Sequence, residues 1–346
     1  MLYGVLRPLL FSLEAEYAHR AALNALDAAH RVGLSRLIAA PAPACPIQVM
    51  GLSFPNPVGL AAGLDKNGEH IAALASLGFG FLEVGTVTPR PQPGNPRPRM
   101  FRIPRAHALI NRLGFNNRGA DRLVTNVKAS CYKGILGINI GKNFDTPMER
   151  ATQDYVIALR KVYGVASYIT VNISSPNTQN LRELQQSEAL TRLLAALKGE
   201  QSALYRQQGR YVPLVVKIAP DLTQEEIQVI AQLVLKHGID GIIATNTTLS
   251  RRGVEGLVHS EQAGGLSGAP LREASTQVIR TLHGVFGERV PIIGVGGILD
   301  GGSAQEKIRA GATLIQLYTG LIYRGPGLIR ETVRAILALE SKTALI

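Results

Sequence analysis

Leu214-Val-Val-Lys-Ile218, the run Thr223–His237 and the return Gly241-Ile-Ile-Ala244 decide the fold. A short apolar, β-branched run reads as a buried strand. The longer run has helical spacing, and the third segment is again strand-like. The same alternation extends outward in both directions. Further strands are expected at Val58–Ala61, Phe81–Gly85, Ile135–Ile140, Tyr168–Ile173, Ile292–Val295 and Leu314–Leu317. Ser187–Gln207 and Glu273–Val285 read as further intervening helices. Eight strand and helix alternations without a second shift in composition favour an α/β fold, a closed (β/α)8 TIM barrel. A doubly wound open sheet is the alternative. It is weakened because no GxGxxG follows the first strand.

The chain's 346 residues fit one barrel domain, and its 46% hydrophobic and 18% charged residues describe a packed protein. The net charge of +12 allows nucleic acid, an anionic surface or an anionic substrate as partner. The basic residues are mostly dispersed, so no nucleic acid is expected. The dense run Arg90, Arg97, Arg99, Arg102 and Arg105 is interleaved with prolines and reads mostly as a solvated loop. Cys45 and Cys131 have neither metal nor redox spacing, which favours a reducing compartment. No apolar run reaches the ~18 residues of a transmembrane helix. No secretory signal is expected either, so membrane contact must be peripheral.

Residues 1–40 read as a helical extension ahead of a barrel at 47–346, with Pro41-Ala-Pro-Ala-Cys-Pro46 as linker. Leu2, Leu6, Leu9, Leu10 and Leu13 recur at helical spacing, and a second periodic run follows Ser12. Pro8 should end or kink the first helix unless it lies in the opening turn. Helices that cap the barrel and helices that touch a membrane are equally compatible with this pattern. Arg7, Arg20, Arg31 and Arg36 are nearly balanced by Glu14, Glu16 and Asp27, so the charge does not decide.

Function in such a barrel sits at the C-terminal strand ends. Ala61-Ala-Gly-Leu-Asp-Lys-Asn67 follows the first strand, and Thr86, Asn139, Asn172 and Lys217 end the next four. Thr245-Asn-Thr247, Gly294-Val-Gly-Gly297 and Tyr318-Thr-Gly320 complete the rim. Carboxylate pairs are absent, which excludes a glycosidase pair. No His, Cys, Asp or Glu cluster has metal spacing, so no metal is expected. Glycines after strands seven and eight suit a phosphate, and the Gly264–Gly268 loop adds permissive backbone. Lys217 at an apolar barrel mouth is costly unless paired, which favours a role with an anionic ligand. Lys66 can hold a carboxylate. Asn172-Ile-Ser-Ser-Pro-Asn177 reads from composition as a turn, and also as a set of hydrogen-bonding groups for a flat polar ring.

Together these motifs resemble the dihydroorotate dehydrogenases. The resemblance rests on Asn56-Pro-Val-Gly-Leu-Ala-Ala-Gly-Leu-Asp-Lys-Asn67, Gly94-Asn-Pro-Arg-Pro-Arg-Met-Phe-Arg102, Asn111-Arg-Leu-Gly-Phe-Asn116, Asn172-Ile-Ser-Ser-Pro-Asn-Thr178, Thr245-Asn-Thr247 and Gly294-Val-Gly-Gly297. It implies an FMN enzyme converting dihydroorotate to orotate in pyrimidine synthesis. Soluble members use a cysteine base and the membrane-associated, quinone-dependent class 2 members a serine. The matching residue is Ser175; Ser174 beside it would point the other way. The extension at 1–40 is similar to the class 2 quinone tunnel, so a peripheral protein on the cytoplasmic side of a bacterial inner membrane is implied.

By the same resemblance, flavin contacts would come from Ala62, Gly63, Thr86, Asn139, Asn172, Lys217, Thr245, Gly268, Gly297, Tyr318 and Thr319. Substrate contacts would come from Lys66, Asn111, Arg112, Leu113, Gly114, Phe115, Asn172, Asn177, Asn246 and Thr247. His19, Arg102 and Tyr318 would line the quinone end. Three rival readings are a soluble flavoenzyme using fumarate or a nicotinamide, a phosphate-binding isomerase barrel, and a non-catalytic membrane scaffold. Ser175 and residues 1–40 weigh against the first, and Lys217 among so many amides against the second.

Overall fold

Leu214–Ile218 and Gly241–Ala244 lie parallel, with Val216 beside Ile242 and Lys217 beside Ile243. The helix between them, Gln224–Lys236, starts at a capping box. The Thr223 hydroxyl accepts from Glu226 N, and the Glu226 carboxylate accepts from Thr223 N. In this computed structural model residues 2–35 and 41–343 are described. Residues 36–40, the end of the expected extension and the site of Arg36, lie outside them.

Helices α1 (Leu2–Ser12) and α2 (Ala15–Arg31) come first, then the hairpin β1 (Ile47–Val49) and β2 (Leu52–Phe54). Strands β3 (Val58–Leu60), β4 (Phe81–Val87), β5 (Met100–Ile103), β6 (Ala108–Asn111), β7 (Ile135–Ile140) and β8 (Tyr168–Asn172) follow. The chain continues through β9 (Leu214–Ile218), β10 (Gly241–Ala244), β11 (Gly265–Gly268), β12 (Ile292–Val295) and β13 (Leu314–Leu317). A closed barrel in the order β3-β4-β7-β8-β9-β10-β12-β13 contains the eight expected strands. Its ladders are parallel throughout. Side chains alternate as a pleat requires. Leu82 and Val84 of β4 pack outward with the core that includes the covering helices, while Phe81 joins Tyr168, Val215, Ile243, Ile293 and Leu314 in a second cluster.

The lower lumen is filled by aromatic rings. Phe81 lies edge-on to Phe54 of the β1–β2 hairpin at 5.2 Å and to Tyr168 at 6.3 Å. Two strand glycines make room for them. A Cβ at Gly59 would lie 2.3 Å from the Phe81 ring, and one at Gly137 2.2 Å from the Tyr168 ring. Both positions therefore exclude any side chain.

Pro8 lies inside α1, which does not end there but continues to Ser12. Two features depart from the sequence reading. Gly265–Gly268, read as a loop, is a strand in a sheet ordered β11-β6-β5. Most of the arginine run is solvated as read, but one member is buried. Arg99 is 5% exposed, and its guanidinium donates to both carboxylate oxygens of Glu16 on α2, at 2.8 and 3.0 Å, and to the carbonyls of Pro93 and Asn95. Arg97 donates to Glu16 as well. Arg102 donates to the carbonyls of Leu10 and Leu13 and lies over the Phe11 ring. Arg90, Arg97 and Arg105 are exposed, with Arg90 paired to Asp145.

The Glu16 pairs fasten the extension to the barrel body. Burial works to raise the Glu16 pKa, but hydrogen bonds and charge from Arg99 and Arg97 outweigh it and hold the carboxyl at about 2. A depressed carboxylate stabilises the folded state above its unfolded pKa and loses that contribution as pH falls through the folded value. Glu16→Gln is therefore expected to lower stability by on the order of 2 kcal/mol at neutral pH. The difference from wild type should shrink as pH falls from about 4.5 toward about 2. Thermal melts of both proteins across that range check this; a gap that stays constant with pH would count against the pairing.

Candidate active site

The C-terminal strand ends meet at a cleft with about 960 Å³ of empty space, part of it open to solvent. Side chains from almost every part of the expected rim reach it. Ala62, Gly63 and Lys66 come from the segment after β3, and Thr86 from β4. Asn111, Leu113, Gly114 and Phe115 come from the end of β6 and beyond. Asn172, Ser175 and Asn177 follow β8, and Lys217 ends β9. Thr245, Asn246 and Thr247 follow β10, and Gly268 closes β11. Gly297 follows β12, and Tyr318 and Thr319 follow β13.

Two expected residues sit differently. Arg112 turns its guanidinium away from the cleft to Gln262 Oε1 and to the carbonyls of Ala263 and Pro98, and stacks on Phe101. Only its backbone stays near the cleft, where Asn95 Nδ2 holds its carbonyl at 2.9 Å. Asn139 is fully buried one layer behind the wall. Its Oδ1 accepts from Thr86 Oγ1 at 2.6 Å and from Asn172 Nδ2 at 3.2 Å.

Below that layer lies a carboxylate that the sequence reading passed over. Glu83 of β4 is fully buried. Asn139 Nδ2 donates to its Oε1, while Tyr168 OH and Gln316 Nε2 donate to its Oε2. Burial, then the neighbouring Glu83, pushes the Tyr168 hydroxyl well above its ordinary pKa, so it stays a donor. A charged residue in the apolar run Phe81–Gly85 and a glutamine in Leu314–Leu317 were the available signals. A buried charge is tolerated only when several groups satisfy it.

Ser175 and Ser174 face opposite ways. Ser175 lines the cleft and its Oγ accepts from Asn177 N at 3.2 Å. Ser174 is fully buried; its hydroxyl donates to Asn172 Oδ1 and accepts from Asn246 Nδ2. Arg182 ties this loop to its neighbours. It donates to the carbonyls of Ser174 and Thr247 and pairs with Asp221 at 2.7 Å.

The two cleft lysines differ. Lys217 is 6% exposed and its ammonium has no hydrogen-bond partner among the described residues. Burial lowers its pKa, and Glu83 opposes that shift. Lys66 is lowered to about 8, by burial first and by the charge of Arg99 second. Gln316 also lines the cleft, and its Oε1 is a buried acceptor without a donor among the described residues. An unpartnered cation and an unpartnered acceptor in one cleft suit a ligand carrying both an electron-rich edge and polar hydrogens. At the other end, Gly296 and Gly297 take φ of +118° and +71°. Thr319 starts a short helix there, with its hydroxyl 2.8 Å from Ser267. Backbone of this kind can hold a phosphate.

The three residues expected at a quinone end are not joined by any hydrogen bond or ion pair among the described residues. Tyr318 lines the cleft. His19 lies on α2, its pKa lowered to about 4 by burial and next by the Lys66 ammonium. Arg102 holds the turn between α1 and α2.

Known proteins are similar to this chain over nearly its full length. A protein named dihydroorotate dehydrogenase (quinone) from Nitrosospira multiformis is 64% identical over 97% of this chain and 96% of its own. One of the same name from Thiobacillus denitrificans is 63% identical over 97% and 99%. The crystal structure of DHODH from Eimeria tenella in complex with ferulenol superposes with a TM-score of 0.82 at 40% identity, covering 87% of this chain and 85% of that one. The sequence profile of dihydroorotate dehydrogenase matches residues 45–339, and with these likenesses over nearly the full length the chain belongs to the dihydroorotate dehydrogenase family.

Proposed function

We propose that this protein oxidises dihydroorotate to orotate in pyrimidine biosynthesis, with FMN as the resident cofactor and a membrane quinone as the final oxidant. The observation that carries the reading is one cleft wall holding both Ser175 and the unpartnered Lys217 ammonium. FMN, when bound, supplies the acceptor for the hydride that leaves C6 of the substrate. The chain's own residues do the rest.

Ser175 Oγ takes the proton from C5 as its own hydroxyl proton passes to solvent, and the Asn177 N–H directed at that oxygen stabilises the negative charge that builds on it as its proton departs. Lys66 holds the substrate carboxylate by a charge-assisted hydrogen bond. The amides of Asn111, Asn172, Asn177 and Asn246, with Thr247, take the polar edge of the ring. Phe115 and Leu113 give it an apolar wall.

Lys217 faces the electron-rich pyrimidine edge of the flavin. Gly268, Gly297, Tyr318 and Thr319 receive the phosphate end, and Ala62, Gly63, Thr86, Asn139 and Thr245 complete the cofactor's surroundings. Lys217→Ala is expected to weaken FMN binding roughly 10- to 100-fold, the worth of one charged hydrogen bond in a buried site. Titration of flavin-free protein with FMN measures it, and wild-type affinity in the variant would remove Lys217 from this role.

Residues 1–40 form the membrane contact and the quinone end, with His19, Arg102 and Tyr318 toward the flavin. No helix among the described residues is long and apolar enough to span a bilayer. On α1, however, Val5 is 77% and Leu9 65% exposed, with Leu6 beside them. Such a face lies in a membrane surface. We place the protein on the cytoplasmic side of a bacterial inner membrane. Anaerobic mixing with dihydroorotate, then reoxidation by quinone, fumarate and a nicotinamide in parallel, tests the whole reading. A colourless protein that takes up no flavin ends it, and reoxidation by fumarate or a nicotinamide instead of quinone reassigns the acceptor.

A further inference from the structure

Gln316 has no part in the reading above, yet its side chain is committed in a way that ordinary packing does not require. It sits on β13 at 1% exposure and is one of the residues lining the cleft. Its orientation is fixed by chemistry. A glutamine amide can be turned end for end, and its neighbours decide which end goes where. The neighbour here is the Glu83 carboxylate, which only accepts. Nε2 donates to Glu83 Oε2 at 2.7 Å, so Oε1 must face away from the carboxylate. Oε1 is buried and meets no donor among the described residues.

Leaving a buried acceptor unpaired forfeits the hydrogen bond that water would have made to it. The other members of the network show no such gap. Asn139 Oδ1 is met by Thr86 and Asn172, and the Tyr168 hydroxyl by Glu83. The orphaned atom belongs to the one partner of Glu83 that lines the cleft.

Resting on the flavin reading of the cleft, we propose that Gln316 is a further cofactor-binding residue whose amide oxygen, aimed by Glu83, accepts a hydrogen bond from an N–H or hydroxyl of the flavin ring or its ribityl chain. The phosphate of FMN, ionised and without a hydrogen to offer Oε1, is excluded as the donor. Glu83, which does not line the cleft, acts through Gln316 as a positioning residue.

The test is titration of the full, flavin-free chain with FMN and with riboflavin, which lacks the phosphate. Gln316→Met keeps the length of the side chain and removes the acceptor. It should weaken both flavins by the same factor, roughly 5- to 100-fold, while the flavin-free protein still melts cooperatively. Glu83→Gln leaves Gln316 in place but frees its amide to turn, so it should weaken both flavins by a smaller factor. That second variant decides the matter if Gln316→Met does not fold. Wild-type affinity for both flavins in the folded variants would mean that water fills the gap, and would overturn the proposal. Loss of FMN affinity alone would move the contact to the phosphate, which also overturns it. A wild-type chain that binds neither flavin would instead overturn the flavin reading on which the proposal rests.

Discussion

Ser175→Ala is expected to bind FMN as wild type does and to be reduced by dihydroorotate on the order of 10²–10⁴-fold more slowly, the usual worth of a positioned general base. The role comes from the family resemblance, and the cleft wall is compatible with it. No His, Asp or Glu lines it among the described residues. Its remaining ionisable groups are Lys66, Lys217 and Tyr318. Burial raises the Tyr318 hydroxyl to about 12, so at neutral pH it keeps its proton. Lys66, lowered to about 8, is still mostly an ammonium at pH 7 and cannot accept a proton. Among the hydroxyls, Thr245 donates to Asn246 O and Thr86 to Asn139 Oδ1. Ser175 Oγ receives a backbone N–H, and Ser175 lines the same wall as the amides of Asn111, Asn172, Asn177 and Asn246. Rapid mixing without oxygen separates reduction from turnover. Ser174→Ala serves as the comparison, because Ser174 touches the same amides from behind and its loss should be much milder. A near-normal rate of flavin reduction in Ser175→Ala would remove the serine from its role.

The barrel was legible because its signal is local. Each strand is a short β-branched run and each helix a longer periodic one, and both periods follow from neighbours a few residues apart. The rim residues followed from the rule that strand ends carry chemistry, and most of them line one cleft. What stayed hidden depends on partners far along the chain. The buried state of Arg99 needs Glu16, 83 positions earlier, so a proline-rich run looked solvated. Strand β11 pairs with β6, a segment more than 150 residues away, and its Gly-Leu-Ser-Gly composition favours a loop by itself. Glu83 and Gln316 sit 233 positions apart and meet only when the barrel closes. Arg112 shows the limit of motif reasoning: its neighbours reach the cleft, but its own side chain finds better acceptors outside. Ser175 is the reverse case, a residue whose local chemistry reads as a turn serine and whose assignment came from the family resemblance.

Removing Leu2–Ser12 is expected to spare reduction of the flavin by dihydroorotate and to cut reoxidation by a membrane-embedded quinone at least ~10-fold. The contacts of α1 explain why the two half-reactions should separate. Its Tyr3 hydroxyl donates to Ile322 O, its Arg7 to Tyr323 O, and Phe11 lies edge-on to Tyr323 at 5.3 Å. These contacts fall on Ile322 and Tyr323 of the helix Thr319–Arg324, neither of which lines the cleft, and none of them touches Ser175 or Lys66. The outward residues Val5, Leu6 and Leu9 are the ones a bilayer would cover. Burying each is worth about 1.5–3 kcal/mol, so their loss lowers membrane partitioning by orders of magnitude. Cutting only α1 is the sharper experiment than cutting residues 1–40. The longer deletion would also remove Glu16 and strand the buried Arg99 guanidinium, so lost activity would then report a damaged fold. The shorter one leaves Glu14 to cap α2 and Glu16 in its pair. Vesicle sedimentation and quinone-dependent reoxidation are measured side by side. If the shortened protein leaves the vesicles yet oxidises with the embedded quinone at the wild-type rate, α1 is a cap on the barrel and not the route to the membrane.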